Sequence, residues 1–144
     1  MESGLLHLHN FLRWVILFFL MISLLQAIGK KPGLRKTSLW LLISAHITLL
    51  IGLYQYFTSA VGYKLIQANG FGPVMKDSVM RFWAVEHITG MFIAIILITI
   101  ARGKAKRGGY PVILYLLALL LILAVVPWPF RDLGIARPWF PGMQ

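Results

Sequence analysis

The chain has 144 residues, a net charge of +10 and no cysteine; 59% of its residues are hydrophobic and only 12% charged, with a mean hydropathy of +0.80. A soluble domain of this size is about a quarter charged, so the composition points to a membrane protein and the length to one domain. Lack of cysteine excludes disulfides and thiolate metal sites, and positive charge placed between apolar runs argues against nucleic acid as a partner.

A helix needs about 20 mostly apolar residues to cross ~30 Å of hydrocarbon. Four runs meet that need: 5–28, 37–59, 80–101 and 110–126. The first is read as a retained span, because it lacks a basic leader and a small-residue cleavage site. The second holds no charge. The third contains Glu86, and the fourth stops at Pro127 and Pro129, where the missing backbone donor ends a helix.

Lys30, Lys31, Arg35 and Lys36 lie between spans one and two; Arg102, Lys104, Lys106 and Arg107 lie between spans three and four. Short basic loops stay in the cytoplasm. The expectation is an all-α membrane four-helix bundle of up-down topology. Both termini and the short loop 60–79 would then face outward. Trp40 falls at the inner edge; Tyr54, Tyr56, Phe82, Trp83 and Trp128 fall at outer edges, as interfacial belts do. Asn69-Gly70-Phe71-Gly72-Pro73 signals a turn, with room for a short interfacial helix before it. The proline- and aromatic-rich tail from Pro127 is read as a cap folded back on the outer end.

Ionisable groups within spans are costly and mark functional positions. Here they are His7, His9 and Arg13, then His46, then Glu86 and His87. At about 100° per residue, His7 and His9 point almost oppositely. The His9 stripe (Arg13, Ile16, Leu20, Ser23, Ala27) is smaller and more polar, as helix interfaces in membranes are. The His7 stripe (Asn10, Trp14, Phe18, Met21, Leu25) is bulkier and suits lipid. His87 shares its face with Gly90 and Ala94, which suit either a flat ligand or close helix packing. His46 sits among Leu42, Ile43, Leu49, Leu50 and Leu53 and is expected inward, with a partner.

One histidine on each of three helices suits haem b, which takes axial nitrogens in a flat apolar slot. His9, His46 and His87 are the candidate iron ligands, with Arg13 and Arg81 as candidate propionate partners. His9 with His87 and His46 with His87 are rival pairs. The same histidines also suit interhelical hydrogen bonds. A metal site of His9, His87 and Glu86 is awkward, because Glu86 and His87 diverge by about 100° on a helix.

His9-Asn10-Phe11-Leu12-Arg13-Trp14, Ala45-His46 and Arg81-Phe82 with Val85-Glu86-His87 resemble small four-span bacterial membrane proteins labelled cytochrome b or cytochrome b-like. The tail, Pro127-Trp128-Pro129-Phe130-Arg131 and Arg137-Pro138-Trp139-Phe140-Pro141, fits that pattern too. The resemblance implies haem b and electron transport, with quinone or a respiratory-chain membrane complex as partner. It extends in style to each half of haem A synthase, although those halves take a ligand from the fourth helix and span four here has no histidine. The competing reading is a non-catalytic small subunit or assembly factor of a larger membrane complex. No complete catalytic constellation is visible, and the oligomeric state stays open.

Overall fold

The apolar runs form helices wherever proline and glycine permit. The computed structural model describes residues 2–134 and 137–143, of Glu2 the backbone alone. Its elements are α1 (Glu2–Ile28), α2 (Leu34–Thr58), α3 (Tyr63–Asn69), α4 (Phe71–Lys76), α5 (Ser78–Arg81), a π turn (Phe82–Glu86), α6 (His87–Lys106) and α7 (Val112–Val125). The described residues contain no strand.

Three helical stretches are long and apolar enough to cross a membrane: Ser3–Ile28, Leu34–Asn69 and Ser78–Lys106, with hydropathies of 2.2, 1.6 and 2.0. The fourth apolar helix, α7, has 14 residues, or about 21 Å. It ends because Val126, ahead of Pro127, turns extended (ψ 135°), as a residue before proline prefers.

α1, α2 and the third long helix each extend beyond the expected span at one end or both, whereas α7 falls short of 110–126. The third long helix continues to Lys106, which puts Lys104 and Lys106 in its last turn, where cations favour the helix dipole. The turn expected at 69–73 is made by Gly70 at φ +82°. The short helix expected before it is α3; a second, α4, follows, with Pro73 in its first turn.

α1 packs on α2 and α7, and α6 packs on α2 and α7, which leaves α1 and α6 across the ring from each other. The core is Ile16 and Leu20 of α1, Leu41 and Ala45 of α2, Ala94 and Ile98 of α6, and Tyr115, Ala118 and Ile122 of α7. Both basic loops gather at one end. Arg102 Nη1 donates to Arg35 O at 2.9 Å, and Lys30 Nζ lies 5.5 Å from the Tyr110 ring centre.

The opposite end is closed by the tail. Asn10 Nδ2 and Arg13 Nη2 donate to Pro138 O, Arg13 also to Trp139 O, and Trp14 Nε1 to Trp139 O. Trp14 stacks on Phe140 at 5.5 Å. The tail thus caps the bundle, as its composition suggested. Phe82 and Trp83 depart from expectation. They are 1% and 9% exposed and form a second small core with Leu133, so they do not form an interfacial belt.

The α1 stripes fall as helix geometry requires. Ile16, Leu20, Ser23 and Ala27 are buried, whereas Phe18, Met21 and Leu25 are exposed. His7 is exposed and accepts from the Gly142 backbone N–H at 3.3 Å.

Candidate functional site

A cavity of about 310 Å³ opens near the tail end between α1, α2 and α6, at the lower end of the range for small-molecule sites. Its wall is mostly apolar, with His9, Arg13, Tyr56, His87 and Arg137 among its polar members.

His87 is set by the way two neighbouring helices are built. A helix leaves its last carbonyls without intrahelical partners, and the prolines after α7 supply no donors to them. Side chains do so instead. Trp128 Nε1 donates to Leu123 O, Arg131 Nη1 to Ala124 O, and His87 Nδ1 to Val125 O at 2.7 Å. A carbonyl can only accept, so Nδ1 carries the imidazole proton and Nε2 keeps its lone pair. This is the arrangement that orients a metal-ligating histidine.

The π turn just before His87 has a similar logic. In that turn the His87 N–H reaches five residues back to Phe82 O. Tyr56 of α2 donates its hydroxyl to Ala84 O within it, at 2.8 Å. Trp83 Nε1 donates to Leu133 O at 2.8 Å, and this ties the turn to the tail. Such single π turns recur at functional sites because they locally re-aim side chains.

His9 approaches from α1. Its ring lies against Gly52 of α2, where a Cβ would come within 3.1 Å of His9 Cε1. Its Nδ1 is buried and has no hydrogen-bond partner among the described residues. The His9 and His87 ring centroids are 6.4 Å apart, with their planes at 72°. Two imidazoles on one metal, with bonds of about 2.0–2.1 Å and roughly 1.1 Å from nitrogen to ring centre, have centroids at most about 6.3 Å apart, reached only when they approach from opposite sides. The pair's separation lies at the upper limit for two imidazoles on one metal, and His9 Nδ1 is a buried nitrogen lacking a partner among the described residues.

Of the other predicted residues, Arg13 shares the cavity with this pair, and His46 and Arg81 do not. His46 is exposed on α2, and its Nδ1 bonds to Leu42 O of its own helix at 2.8 Å. It lines a separate shallow groove with Phe92 and Ile96. The expectation of an inward His46 is corrected: Ser38, Ala45 and Thr48 take α2's buried face instead. Arg81 is turned to Glu86, with Nε and Oε1 2.7 Å apart, and to Met75 O. Neither Arg81 nor Glu86 lines the cavity. Arg13 does line it, but Nη2 is committed to the tail carbonyls. Among the described residues no group of three or more His, Cys, Asp or Glu side chains is placed to hold a metal. The two-histidine arrangement is distinct from such a cluster.

Arg137 enters the sequence reading only as part of the tail pattern, with no site role. The tail carries it to the cavity wall, with its guanidinium carbon 4.8 Å from the centre of the Trp83 ring. Partial burial lowers its pKa from the ordinary value, because desolvation disfavours the charged form. Gly90 was expected to admit either a flat ligand or a helix. It meets a helix: a Cβ there would lie 2.5 Å from Val125 Cγ1 of α7. No family model, curated protein or solved structure matches the chain.

Proposed function

We propose that the chain is a b-type cytochrome-like protein of the bacterial inner membrane, holding haem b between His9 and His87. The observation that carries the reading is the His9–His87 pair: ring centres 6.4 Å apart, His87 Nδ1 fixed on Val125 O, and His9 Nδ1 buried without a described partner. His87 would offer Nε2, because its Nδ1 proton is taken up by Val125 O. His9 would complete the pair from α1, across the ring from α6. The cavity wall is mostly apolar, and Tyr56 and Trp83 fix the turn that aims His87. When bound, haem supplies one-electron chemistry at its iron. In this reading the chain is an electron carrier or a subunit rather than a self-sufficient enzyme. Its partners would be quinone or a membrane complex.

The membrane topology belongs to the same proposal. α1, α2, the α5–α6 stretch and α7 are four spans with both basic loops cytoplasmic, and the termini face outward. α7 is short for the ~30 Å core. The irregular chain after it is supported because non-helical backbone is tolerated at membrane depth where protein covers it. Trp128 and Arg131 provide donors to the α7 carbonyls there.

One observation favours a small subunit of a larger complex as a second reading. His46 is exposed midway along α2, and a polar ring facing hydrocarbon calls for a partner helix. The test of the primary reading is the visible absorption spectrum of the chain purified from haem-replete cells. Haem bands in the reduced-minus-oxidised difference are expected; their absence would sink the reading.

A further inference from the structure

The cavity has a one-sided charge. Arg13 and Arg137 both line it, together with His9 and His87, and no Asp or Glu lines it among the described residues. The one ion pair among the described residues, Arg81–Glu86, is elsewhere. Cations set into an apolar wall are normally paired, because an isolated buried charge is costly. Arg137 is also held in place. The two residues that follow it are tied to α1 through Pro138 O and Trp139 O, and its guanidinium lies over Trp83. No hydrogen-bond acceptor for that guanidinium occurs among the described residues. Arg13, on the same cavity wall, has a buried Nε with no partner among the described residues.

We infer that Arg137, seconded by Arg13, is the recognition point for a carboxylate carried by an apolar ligand that fills this cavity. A guanidinium presents a planar fork of donors that matches a carboxylate. The apolar wall would take the ligand's body and the tail would supply its charge partner. Two sources offer this chemistry: the propionates of haem, or a free fatty acid from the bilayer. The first source rests on the haem reading above; the second does not. The assignment moves the anion-binding role from Arg81, which Glu86 occupies, to Arg137.

The test compares acid and neutral forms of each ligand on the full chain in phosphatidylcholine nanodiscs. Haem b is titrated against its dimethyl ester by absorbance, and a labelled long-chain fatty acid against the matching alcohol by equilibrium binding. Wild type should favour the acid form of at least one pair by roughly tenfold to hundredfold, the range of a charge-assisted hydrogen bond. Arg137→Gln should bring that preference close to one, and Arg137→Lys should restore part of it. If neither haem form binds but the fatty acid is preferred over its alcohol, the carboxylate site stands and the haem reading fails. Equal binding of acid and neutral forms in both pairs overturns the inference, as does an undiminished preference in Arg137→Gln. Should Arg137→Gln fail to fold, the wild-type comparison and Arg137→Lys decide: no acid preference in wild type refutes the site.

Discussion

Gly90→Ala tests how tightly the wall behind His87 is built. A Cβ at Gly90 would stand 2.5 Å from Val125 Cγ1, 3.0 Å from Cγ2 and 3.1 Å from Cβ. Carbon atoms in good contact are about 3.5–4.0 Å apart, so α6 and α7 must separate by something near 1 Å or Val125 must turn. Overpacking of this kind costs about 1–3 kcal/mol. Removing glycine from a helix interior offsets roughly 0.5–1 kcal/mol of that. The net loss in the native background is therefore up to about 2 kcal/mol. Val125→Ala deletes both offending methyls. In that background Gly90→Ala should turn neutral or stabilising, by up to about 1 kcal/mol. The double-mutant cycle should then give a coupling of roughly 1–3 kcal/mol. The assay is reversible unfolding in mixed micelles, followed by helical circular dichroism. If Gly90→Ala has the same effect with and without Val125, the close α6–α7 contact is wrong, and the carbonyl that orients His87 loses its support.

Three further outcomes follow from the contacts. Trp14→Ala removes both the Phe140 stack and the donor to Trp139 O; chymotryptic cleavage within the tail should accelerate about tenfold or more at unchanged helix content, and an unchanged rate would contradict tail docking. Arg81→Ala should lower stability by about 1 kcal/mol or less, since the Arg81–Glu86 side chains are 35% and 41% exposed, and it should leave any haem spectrum intact. For topology, single cysteines replacing Lys31 and Lys106 should react with an impermeant thiol reagent from the same side of oriented vesicles. A cysteine replacing Phe71 should react from the other, and labelling of the first two from opposite sides would refute the span assignment.

The inward face of α1 could be read from sequence because its two stripes differ sharply in size and polarity. The same rule was available for α2, where Ser38, Ala45, Thr48 and Gly52 form a small, polar row. The expectation of an inward His46 rests instead on the need of a histidine in an apolar wall for a partner. His46 meets part of that need locally, with Nδ1 on the carbonyl four residues back, and its ring stays on the outer face of α2. His87 was found, but its partner was not: the Val125 carbonyl becomes available only because proline ends α7. The π turn and the tail's delivery of Arg137 depend on long-range hydrogen bonds from Tyr56, Trp83, Asn10, Arg13 and Trp14. No local periodicity encodes such contacts. Asp77, four residues before Arg81, accepts from the Met80 N–H, whereas Glu86, five residues after it, meets Arg81 across the π turn, a spacing that a regular helix does not bring together.

The most direct test of the central claim is the reduced-minus-oxidised absorption spectrum of the purified chain beside those of His9→Ala, His46→Ala and His87→Ala, all from haem-replete cells. Haem b bands should be present in the wild type and in His46→Ala, and lost or converted to a single-imidazole form in His9→Ala and His87→Ala. A wild type without haem bands, or bands that survive loss of His9 and His87 but vanish with His46, would contradict the assignment of the site to the His9–His87 pair.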